Sequence, residues 1–263
     1  MCIRDRPFDG TGRSLIAHFY NANTTWHGGK LEAVYNVKDM NHRAGHDHGE
    51  YVDGIAVQDV ERGGLPEIKS EPWQTDTCIG DWFYRTGFQY KSAKQVIAFL
   101  CDVVSKNGNL LLNIPLKHDG TIDADEEKIL AEMADWIAVN GEAIYGTRPW
   151  RVFGEGPNNI RNKGGSHYTE SVFARMTARD IRFTTKGDFL YAIALGWPDD
   201  GKLRISSLAS SAGQIEKISL LGYDGKLAWK QSVKELSVTL PEKIVSKDAI
   251  VLKISSRGLV SRP

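Results

Sequence analysis

Apolar positions in the first half of the chain fall into two kinds of run. Four short runs have the length of β-strands: KLEAVYNV (30–37), GIAVQDV (54–60), TCIGDWFY (77–84) and NLLLNIP (109–115). Two longer stretches, residues 92–108 and 123–141, place their apolar side chains on one face of a helix. Apolar strands that alternate with amphipathic helices predict a parallel sheet covered by helices.

The ends of the two predicted helices carry their own signals. Gly108 is a natural stop for the first helix. Asp123 is placed to cap the second helix, and Glu126 would complete a capping box. The pair Asn140–Gly141 is a typical helix end. We therefore expect the helix boundaries at these positions.

The pattern changes after residues 148–150. No helical spacing follows them, and runs of strand length are separated by turn signals about every eight to twelve residues. One of these turns is Lys186–Gly187–Asp188. This spacing is typical of an antiparallel β-sandwich, in which we expect no helix longer than two turns. The chain is thus divided into an α/β domain at 1–150 and an all-β domain at 151–263.

The α/β domain has too few strands for a closed parallel barrel. It shows about four, whereas such a barrel has eight, and four alone would leave apolar edges open. We expect Val34, Val57 and Leu111 to lie on parallel strands of this incomplete sheet. Asn113 would then lie at the C-terminal end of the last strand, where barrel enzymes keep their chemistry.

Composition narrows the classes of function. Lysine and arginine (33) balance aspartate and glutamate (33), so no net charge attracts nucleic acid or an anionic membrane. No apolar run approaches the ~20 residues that span a bilayer. Three cysteines are too few for a disulfide framework, and Cys101 has the setting of a core residue. Seven tryptophans and nine tyrosines would suit sugar faces, although filling a core is the simpler explanation.

Five motifs make the sequence recognisable: HFYN (18–21) with GGKLEAVYNVK, DVERG, EPWQTDTCIGDWFYR, VIAFLCDVVSKNGNLLLNIPLKHDGTI, and WIAVNGEAIYGTRPW. Together they resemble the α-L-fucosidases of glycoside hydrolase family 29, over nearly the whole chain. The resemblance implies the C-terminal half of a (β/α)8-type barrel followed by an antiparallel β-sandwich. It also implies an exo-acting, retaining hydrolase that removes terminal α-L-fucose from glycans, and no cofactor or metal is expected. Retaining chemistry needs a nucleophilic carboxylate and an acid/base carboxyl group ~5–5.5 Å apart.

The resemblance further implies that the nucleophile is missing. Family members carry the nucleophilic aspartate about twenty residues before the motif found here at residues 18–21, which leads to residue 1 or earlier. Asp9 lies too close to that motif. Asp5 lies in the opening stretch MCIRDR, which resembles nothing in the family. We therefore expect this chain to be inactive alone.

Glu61 matches the acid/base position of the family, in the motif DVERG. From the residues alone, a rim carboxylate paired with Arg62 is the competing interpretation. Asp59 also competes, because the period of two in a strand places it on the same face as Glu61. Glu71 is the reserve candidate for the acid/base residue.

Two tryptophans are candidate substrate contacts. Trp82 matches a family aromatic residue that packs on the methyl side of fucose, although a core tryptophan sealing the barrel is nearly as good an interpretation. Trp73 has the same two interpretations, and the core is the stronger one.

A histidine-rich stretch, NHRAGHDHGE (41–50), invites a metal-site interpretation. Metal sites whose ligands lie within a few residues of each other usually sit on helices or tight turns. The glycines in this stretch favour a loop instead. We therefore expect no metal, and we place His46 and His48 on the rim of the active site, where they could meet the aglycone.

Two other functions stay open from the sequence. The chain could be a non-catalytic carbohydrate-binding fragment or a general β-sandwich interaction module. The expected partner is a fucosylated glycan, and the sequence does not set the oligomeric state. By resemblance, we expect the whole protein to be bacterial and to be periplasmic or secreted, although residues 1–10 lack the apolar core of a signal peptide.

Overall fold

The computed structural model describes residues 10–38, 56–159 and 168–260. The elements of its first half are, in chain order, α1 (Gly10–Trp26), β1 (Asn36–Lys38), β2 (Val57–Glu61), β3 (Gly63–Gly64), β4 (Trp73–Cys78), α2 (Ala93–Ser105), β5 (Gly108–Asn113) and α3 (Ala124–Asn140). The sequence pattern did not predict α1. This helix buries only Gly12, so it lacks the apolar stripe that made α2 and α3 recognisable.

Strands β1, β2, β4 and β5 form a parallel sheet in that order. Val57 and Leu111 lie on it, as predicted. The placement of Val34 was wrong, because this residue precedes β1 and is 67% exposed. The strand predicted at 77–84 was also misplaced: β4 ends at Cys78, and residues 79–84 form the loop that follows it.

The two faces of the parallel sheet differ, whereas the sequence predicted apolar strands. On one face, Val60, Leu110 and Leu112 join a hydrophobic core with α2 and α3. The opposite face is mostly polar and is formed by residues in register across the strands: Lys38, Asp59, Glu61, Gln74, Asp76, Cys78, Asn109, Leu111 and Asn113. Leu111 on that face is 55% exposed. In the described chain, helices therefore cover one face of the sheet.

The capping box of α3 forms as predicted. Asp123 accepts a hydrogen bond from the Glu126 amide, and the Glu126 side chain accepts one from the Asp123 amide. The predicted stop of α2 was three residues late. The helix ends at Ser105, Asn107 takes the left-handed conformation with φ of 71°, and Gly108 already begins β5.

Gly108 is nevertheless required at its position. A Cβ atom there would lie 2.6 Å from the Trp73 ring and 2.7 Å from Val103. Its role is therefore a close approach between β5 and the core.

The described residues of the second half, 148–159 and 168–260, contain nine strands: β6 (Arg148–Glu155), β7 (Tyr168–Thr169), β8 (Ile181–Lys186), β9 (Phe189–Ala194), β10 (Lys202–Ile205), β11 (Gln214–Leu220), β12 (Ala228–Gln231), β13 (Leu236–Thr239) and β14 (Ile250–Arg257). Short 3-10 helices occur at Glu170–Arg175, Ser206–Leu208 and Ser210–Ala212. Residues 180–260 contain no helix longer than two turns, as predicted. The predicted hairpin turn lies between β8 and β9, with Gly187 at φ of 56°.

Eight of these strands form two antiparallel sheets, β11-β14-β9-β8-β6 and β10-β13-β12. One hydrophobic cluster joins the two sheets and forms the sandwich core. The five-stranded sheet is also buried on its other face. Along β9, Leu190, Ala192 and Ala194 point into the sandwich core. Tyr191 and Ile193 point into the core shared with α2 and α3.

A buried ionic cluster joins α2 to the five-stranded sheet. The Asp102 carboxylate lies 2.8 Å from Lys106 Nζ and 2.5 Å from Arg182 Nε, and all three side chains are fully buried. Both cations also lie over the Phe153 ring, at 4.3 Å and 5.8 Å. Burial lowers the pKa of Lys106 to about 8, against the charge of Asp102, which raises it.

Candidate active site

Three carboxylates converge on one ammonium group at the C-terminal ends of β1, β2 and β4. Lys38 Nζ lies 2.6 Å from Asp76 Oδ2, 3.4 Å from Glu61 Oε2 and 3.6 Å from Asp59 Oδ2. We call these four residues the carboxylate cluster. The period of two in β2 places Asp59 and Glu61 on one face, and the parallel register pairs Glu61 with Asp76.

Exposure separates the three carboxylates. The Glu61 side chain is 26% exposed, whereas those of Asp59 and Asp76 are 6% and 11% exposed. Of the two inner carboxylates, Asp59 is also held by a group other than Lys38. Gln74 donates to Asp59 Oδ1 at 3.0 Å, and Asn36 donates to Gln74 in turn. Glu61 is thus the carboxylate of the cluster that a ligand reaches most easily.

The cluster perturbs two of its members. Burial, followed by the charge of Asp76, raises the pKa of Asp59 to about 6, although Gln74 and Lys38 oppose the shift. Burial would lower the pKa of Lys38, but its hydrogen bond to Asp76 and the charges of all three carboxylates raise it above its ordinary value. Lys38 therefore stays charged, and Asp59 titrates close to neutrality.

The loop after β4 brings Trp82 beside this cluster. The ring of Trp82 is half-buried, with Arg62 Cζ 5.2 Å and Lys38 Nζ 5.8 Å from its centroid. Asn113, at the end of β5, donates to the Trp82 carbonyl at 3.4 Å. The two expected residues Glu61 and Trp82 are therefore brought together at one edge of the sheet, along with Asn113.

Arg62 directly follows Glu61 and has a strained backbone. Its φ is 52°, an uncommon value for a residue with a side chain. The Arg62 amide donates to the Asp76 carbonyl at 2.9 Å, and its guanidinium donates to Cys78 Sγ at 2.8 Å and lies 3.5 Å from Asp81. Such strain persists where surrounding contacts impose it and is frequent at functional sites.

A segment of the second half reaches into this site. We call Tyr168–Arg175 the connecting segment. Its strand β7 pairs antiparallel with β3, the strand that directly follows Arg62. The Glu170 amide donates to the Arg62 carbonyl at 3.1 Å. The Glu170 carboxylate accepts a hydrogen bond from Thr77 and lies 3.0 Å from Lys91 Nζ. The sandwich part of the chain thus supports the backbone next to Glu61.

Of the two interpretations of Trp73, the structure agrees with the stronger one, a core residue, and not with a substrate contact. Trp73 is fully buried at the opposite, N-terminal end of β4, and its indole nitrogen donates to the Lys106 carbonyl at 2.9 Å. Glu71 precedes β4 at that same far end and is exposed, so it does not serve as a reserve. His46 and His48 fall in 39–55, and Asp5 and Asp9 fall in 1–9. Both stretches lie outside the described residues.

Sequence reasoning missed Lys38, Asp76 and Glu170. Asp76 had a detectable signal, because it alternates with Gln74 and Cys78, but the strand was predicted at 77–84 and so began one residue after it. Lys38 comes from a strand of only three residues, and Glu170 from a segment with no periodic pattern. Their roles depend on contacts between distant parts of the chain.

Two further observations bear on the class of protein. Within residues 10–38, 56–159 and 168–260, no group of three or more histidine, cysteine or acidic side chains has the arrangement of a metal site. Over the same described ranges, no helix has both the length and the apolar character needed to cross a membrane.

Parallel βα units with carboxyl groups at the C-terminal strand ends, followed by a β-sandwich, are the arrangement of a barrel-type enzyme with a C-terminal sandwich domain. The family model "Alpha-L-fucosidase" matches residues 8–142, and "Alpha-L-fucosidase C-terminal domain" matches residues 175–255. The chain belongs to the alpha-L-fucosidase family.

Individual relatives agree with this assignment. The tissue alpha-L-fucosidase of Homo sapiens is 32% identical over 228 residues, which are 81% of this chain and 43% of that protein. An alpha-L-fucosidase of Branchiostoma floridae is 34% identical over 167 residues, or 62% of this chain and 32% of that protein. The crystal structure of the Thermotoga maritima alpha-fucosidase in complex with fucose superposes with a TM-score of 0.65 at 25% identity, covering 95% of this chain and 50% of that one. The chain spans half or less of the length of these three proteins.

Proposed function

We propose that this chain carries the acid/base half of a retaining α-L-fucosidase active site. The observation that carries the proposal is the exposure of Glu61 among the three carboxylates that surround Lys38. A proton donor must reach the glycosidic oxygen of a bound glycan, and Asp59 and Asp76 are too buried for that task. The resemblance at DVERG supports the same residue.

The geometry and the resemblance support the following roles. Glu61 donates a proton to the leaving oxygen and later takes one from the attacking water. Lys38 holds the Glu61 carboxyl group in place and neutralises the inner carboxylates. Trp82 offers an apolar ring beside Glu61, which suits the methyl side of fucose. The partner of this chemistry is a terminal α-L-fucosyl group on a glycan.

We also propose that the chain does not turn over alone. Retaining chemistry needs a second carboxylate as nucleophile, ~5–5.5 Å from the first and in direct reach of the sugar carbon. Asp59 and Asp76 are already engaged by Lys38 on the floor of the site, so they are poor nucleophiles. An origin in bacteria and export of the whole protein remain part of this proposal.

The test is hydrolysis of a chromogenic α-L-fucoside. The purified chain should give no turnover, and the same chain joined to an upstream half taken from a family member should give turnover. Glu61→Gln in the joined protein should then lower kcat at least about 100-fold for poor leaving groups and less for good ones. Asp135→Asn, an exposed change on α3, is the matched control.

Three results would contradict the proposal. Turnover by the purified chain that is lost on changing Asp9 would place the nucleophile within this sequence. An equal effect of Glu61→Gln on good and poor leaving groups would remove Glu61 from the acid role. Full activity of that variant would remove it from the mechanism.

A further inference from the structure

A long groove lies beside the first turn of α2, on the surface of the second half. Its volume is about 1210 Å³. Its walls come from Lys94 in α2, from residues 176–179 after the connecting segment, from residues 196–200 after β9, and from the start of β10. Pockets for compact ligands measure ~300–1,000 Å³. The size and shape therefore suit an extended ligand.

The apolar part of the groove is an aromatic platform. Trp197 is half-buried, and its inner side packs against the sandwich core. Pro157 and Pro198 lie in the same wall. A tryptophan fixed in this way offers a flat apolar surface with a polar edge. Such a surface suits the face of a pyranose ring.

The charged part of the groove is positive. Five cationic side chains line it against three carboxylates, although the whole chain has a net charge of zero. Two of the carboxylates are already engaged. Glu155 accepts from the amides of Ser206 and Ser207, and Asp200 lies 2.9 Å from the Arg204 guanidinium.

Several of the cations have no such partner. Among the described residues, Arg179, Lys202 and Lys247 form no direct ion pair, although the charge of Lys202 acts on Asp200 and that of Lys247 on Asp248. They line one groove, so their charges add there and favour an anionic ligand.

The groove begins close to the candidate active site. Glu170, at the start of the 3-10 helix Glu170–Arg175, contacts Thr77 and Lys91, and its amide donates to the carbonyl of Arg62, the residue after Glu61. Met176 directly follows that helix and lines the groove. Six residues of 3-10 helix span about 12 Å. A glycan that places its terminal sugar at Glu61 can therefore reach the groove within a few sugar units.

We propose that this groove binds the acidic part of a glycan, stacking a pyranose on Trp197 and holding a sulfate or carboxylate group among Arg179, Lys202 and Lys247. The choice of a saccharide rests on the proposed function, whereas the choice of an anion rests on the groove itself. The groove would then select fucosylated glycans that carry acidic groups beyond the fucose.

The test is isothermal titration calorimetry of the purified chain with four probes. These are a chondroitin sulfate tetrasaccharide, unsulfated chondroitin tetrasaccharide, neutral chitotetraose and a thymidine octanucleotide. We expect an acidic saccharide to bind at least about tenfold more tightly than chitotetraose, with an affinity that falls as NaCl rises. Binding of the sulfated probe alone identifies sulfate as the anchor, and equal binding of both chondroitins identifies the uronate.

Variants locate the binding. Arg179→Ala and Lys202→Ala are exposed changes that should each weaken binding several-fold, and together at least tenfold. Trp197→Phe should retain binding that Trp197→Ala loses. Lys230→Ala and Trp229→Ala, both on β12, are the matched controls and should bind as the unchanged chain does. Thermal melting shows whether each variant is folded.

Four results would overturn the inference: no saccharide binding, equal affinity for chitotetraose, unchanged binding in the Arg179 and Lys202 double variant, or tighter binding of the octanucleotide. These outcomes are distinct from failure of the proposed function. If the joined protein does not hydrolyse fucosides but the groove binds acidic saccharides, the proposed function fails and the groove stands. If the joined protein hydrolyses fucosides but the groove binds no acidic saccharide, the proposed function stands and the inference about the groove fails.

Discussion

Asp59 has different environments in the folded and the unfolded chain, and the difference changes its pKa. It is nearly buried in the carboxylate cluster, and burial raises its pKa to about 6 from an ordinary value of 3.8. The folded chain therefore holds a proton on Asp59 between about pH 4 and 6, where the unfolded chain does not. The free energy of unfolding should fall as pH rises through this window, by at most about 3 kcal/mol.

This yields a prediction for Asp59→Asn. The substitution removes the titrating group, so the variant should lose the decline in stability between pH 4 and 6. From pH 4 to pH 7, its free energy of unfolding should therefore fall less than that of the unchanged chain. Urea unfolding at pH 4, 5, 6 and 7 measures this difference. Asp135→Asn, exposed on α3, should keep the decline. A parallel pH dependence in Asp59→Asn and the unchanged chain would show that Asp59 has an ordinary pKa.

At this scale the sequence predicted the carboxylate but not its surroundings. Glu61 and Asp59 share a strand face through the simple period of two, so their proximity could be predicted. Lys38 joins them only because β1 pairs with β2, a contact between residues whose spacing carries no signal. The substrate-contact interpretation of Trp73 stayed open in the sequence because an aromatic residue at the start of a strand has the same local pattern as one near its end.

Among the elements, helices were predicted best where their ends carry side-chain signals. The α3 capping box is an example, and Tyr90 adds a 2.8 Å hydrogen bond from its hydroxyl to Asp123. By contrast, β9 is apolar throughout, a pattern that is typical of strands in parallel sheets. It is antiparallel, and its continuous apolar sequence arises because both faces of its sheet are buried.

Asp123→Ala should therefore destabilise the chain by about 1–2 kcal/mol, since it removes a helix cap and leaves the Tyr90 hydroxyl without its acceptor. Asp125→Ala, in the same first turn but outside the cap, should cost less than about 0.5 kcal/mol. Urea unfolding of both variants at pH 7 gives the comparison. Equal losses would mean that the cap contributes no more than the charge of the first turn.

The connecting segment makes a second prediction for elements. Glu170→Ala removes the contacts to Thr77 and Lys91 and should loosen the pairing of β3 with β7. Amide hydrogen exchange of peptides covering 61–65 and 168–172 should rise about tenfold, while β9 and β14 keep their protection. Glu132→Ala, exposed on α3, should change neither region. Unchanged exchange at 61–65 would show that the segment does not support the backbone beside Glu61.

For the whole molecule, the sequence predicted two kinds of sheet but not how they are joined. The expected boundary at residue 150 suggested two consecutive domains, each with its own core. In the structure, one core cluster contains residues of α2, α3 and the outer face of the five-stranded sheet. No local pattern could show this, because the apolar residues of each half look like the core of that half alone. We infer that the two halves fold as one cooperative unit.

Asp102 provides the test of that inference. It is the carboxylate of the ionic cluster that joins α2 to β8. Asp102→Ala would leave the buried side chains of Lys106 and Arg182 without that carboxylate. Such an uncompensated loss costs about 3–5 kcal/mol. Urea unfolding of Asp102→Ala should show a single transition whose free energy of unfolding is lower by that amount. The transitions followed by tryptophan fluorescence and by far-ultraviolet circular dichroism should coincide. Replacing the whole cluster, as Asp102→Leu with Lys106→Met and Arg182→Met, should recover most of the loss, because apolar side chains of similar volume need no partner. Two separate transitions in the Asp102→Ala variant, with the sandwich unfolding at its original midpoint, would show instead that the halves are independent and that this cluster stabilises only the parallel-sheet half.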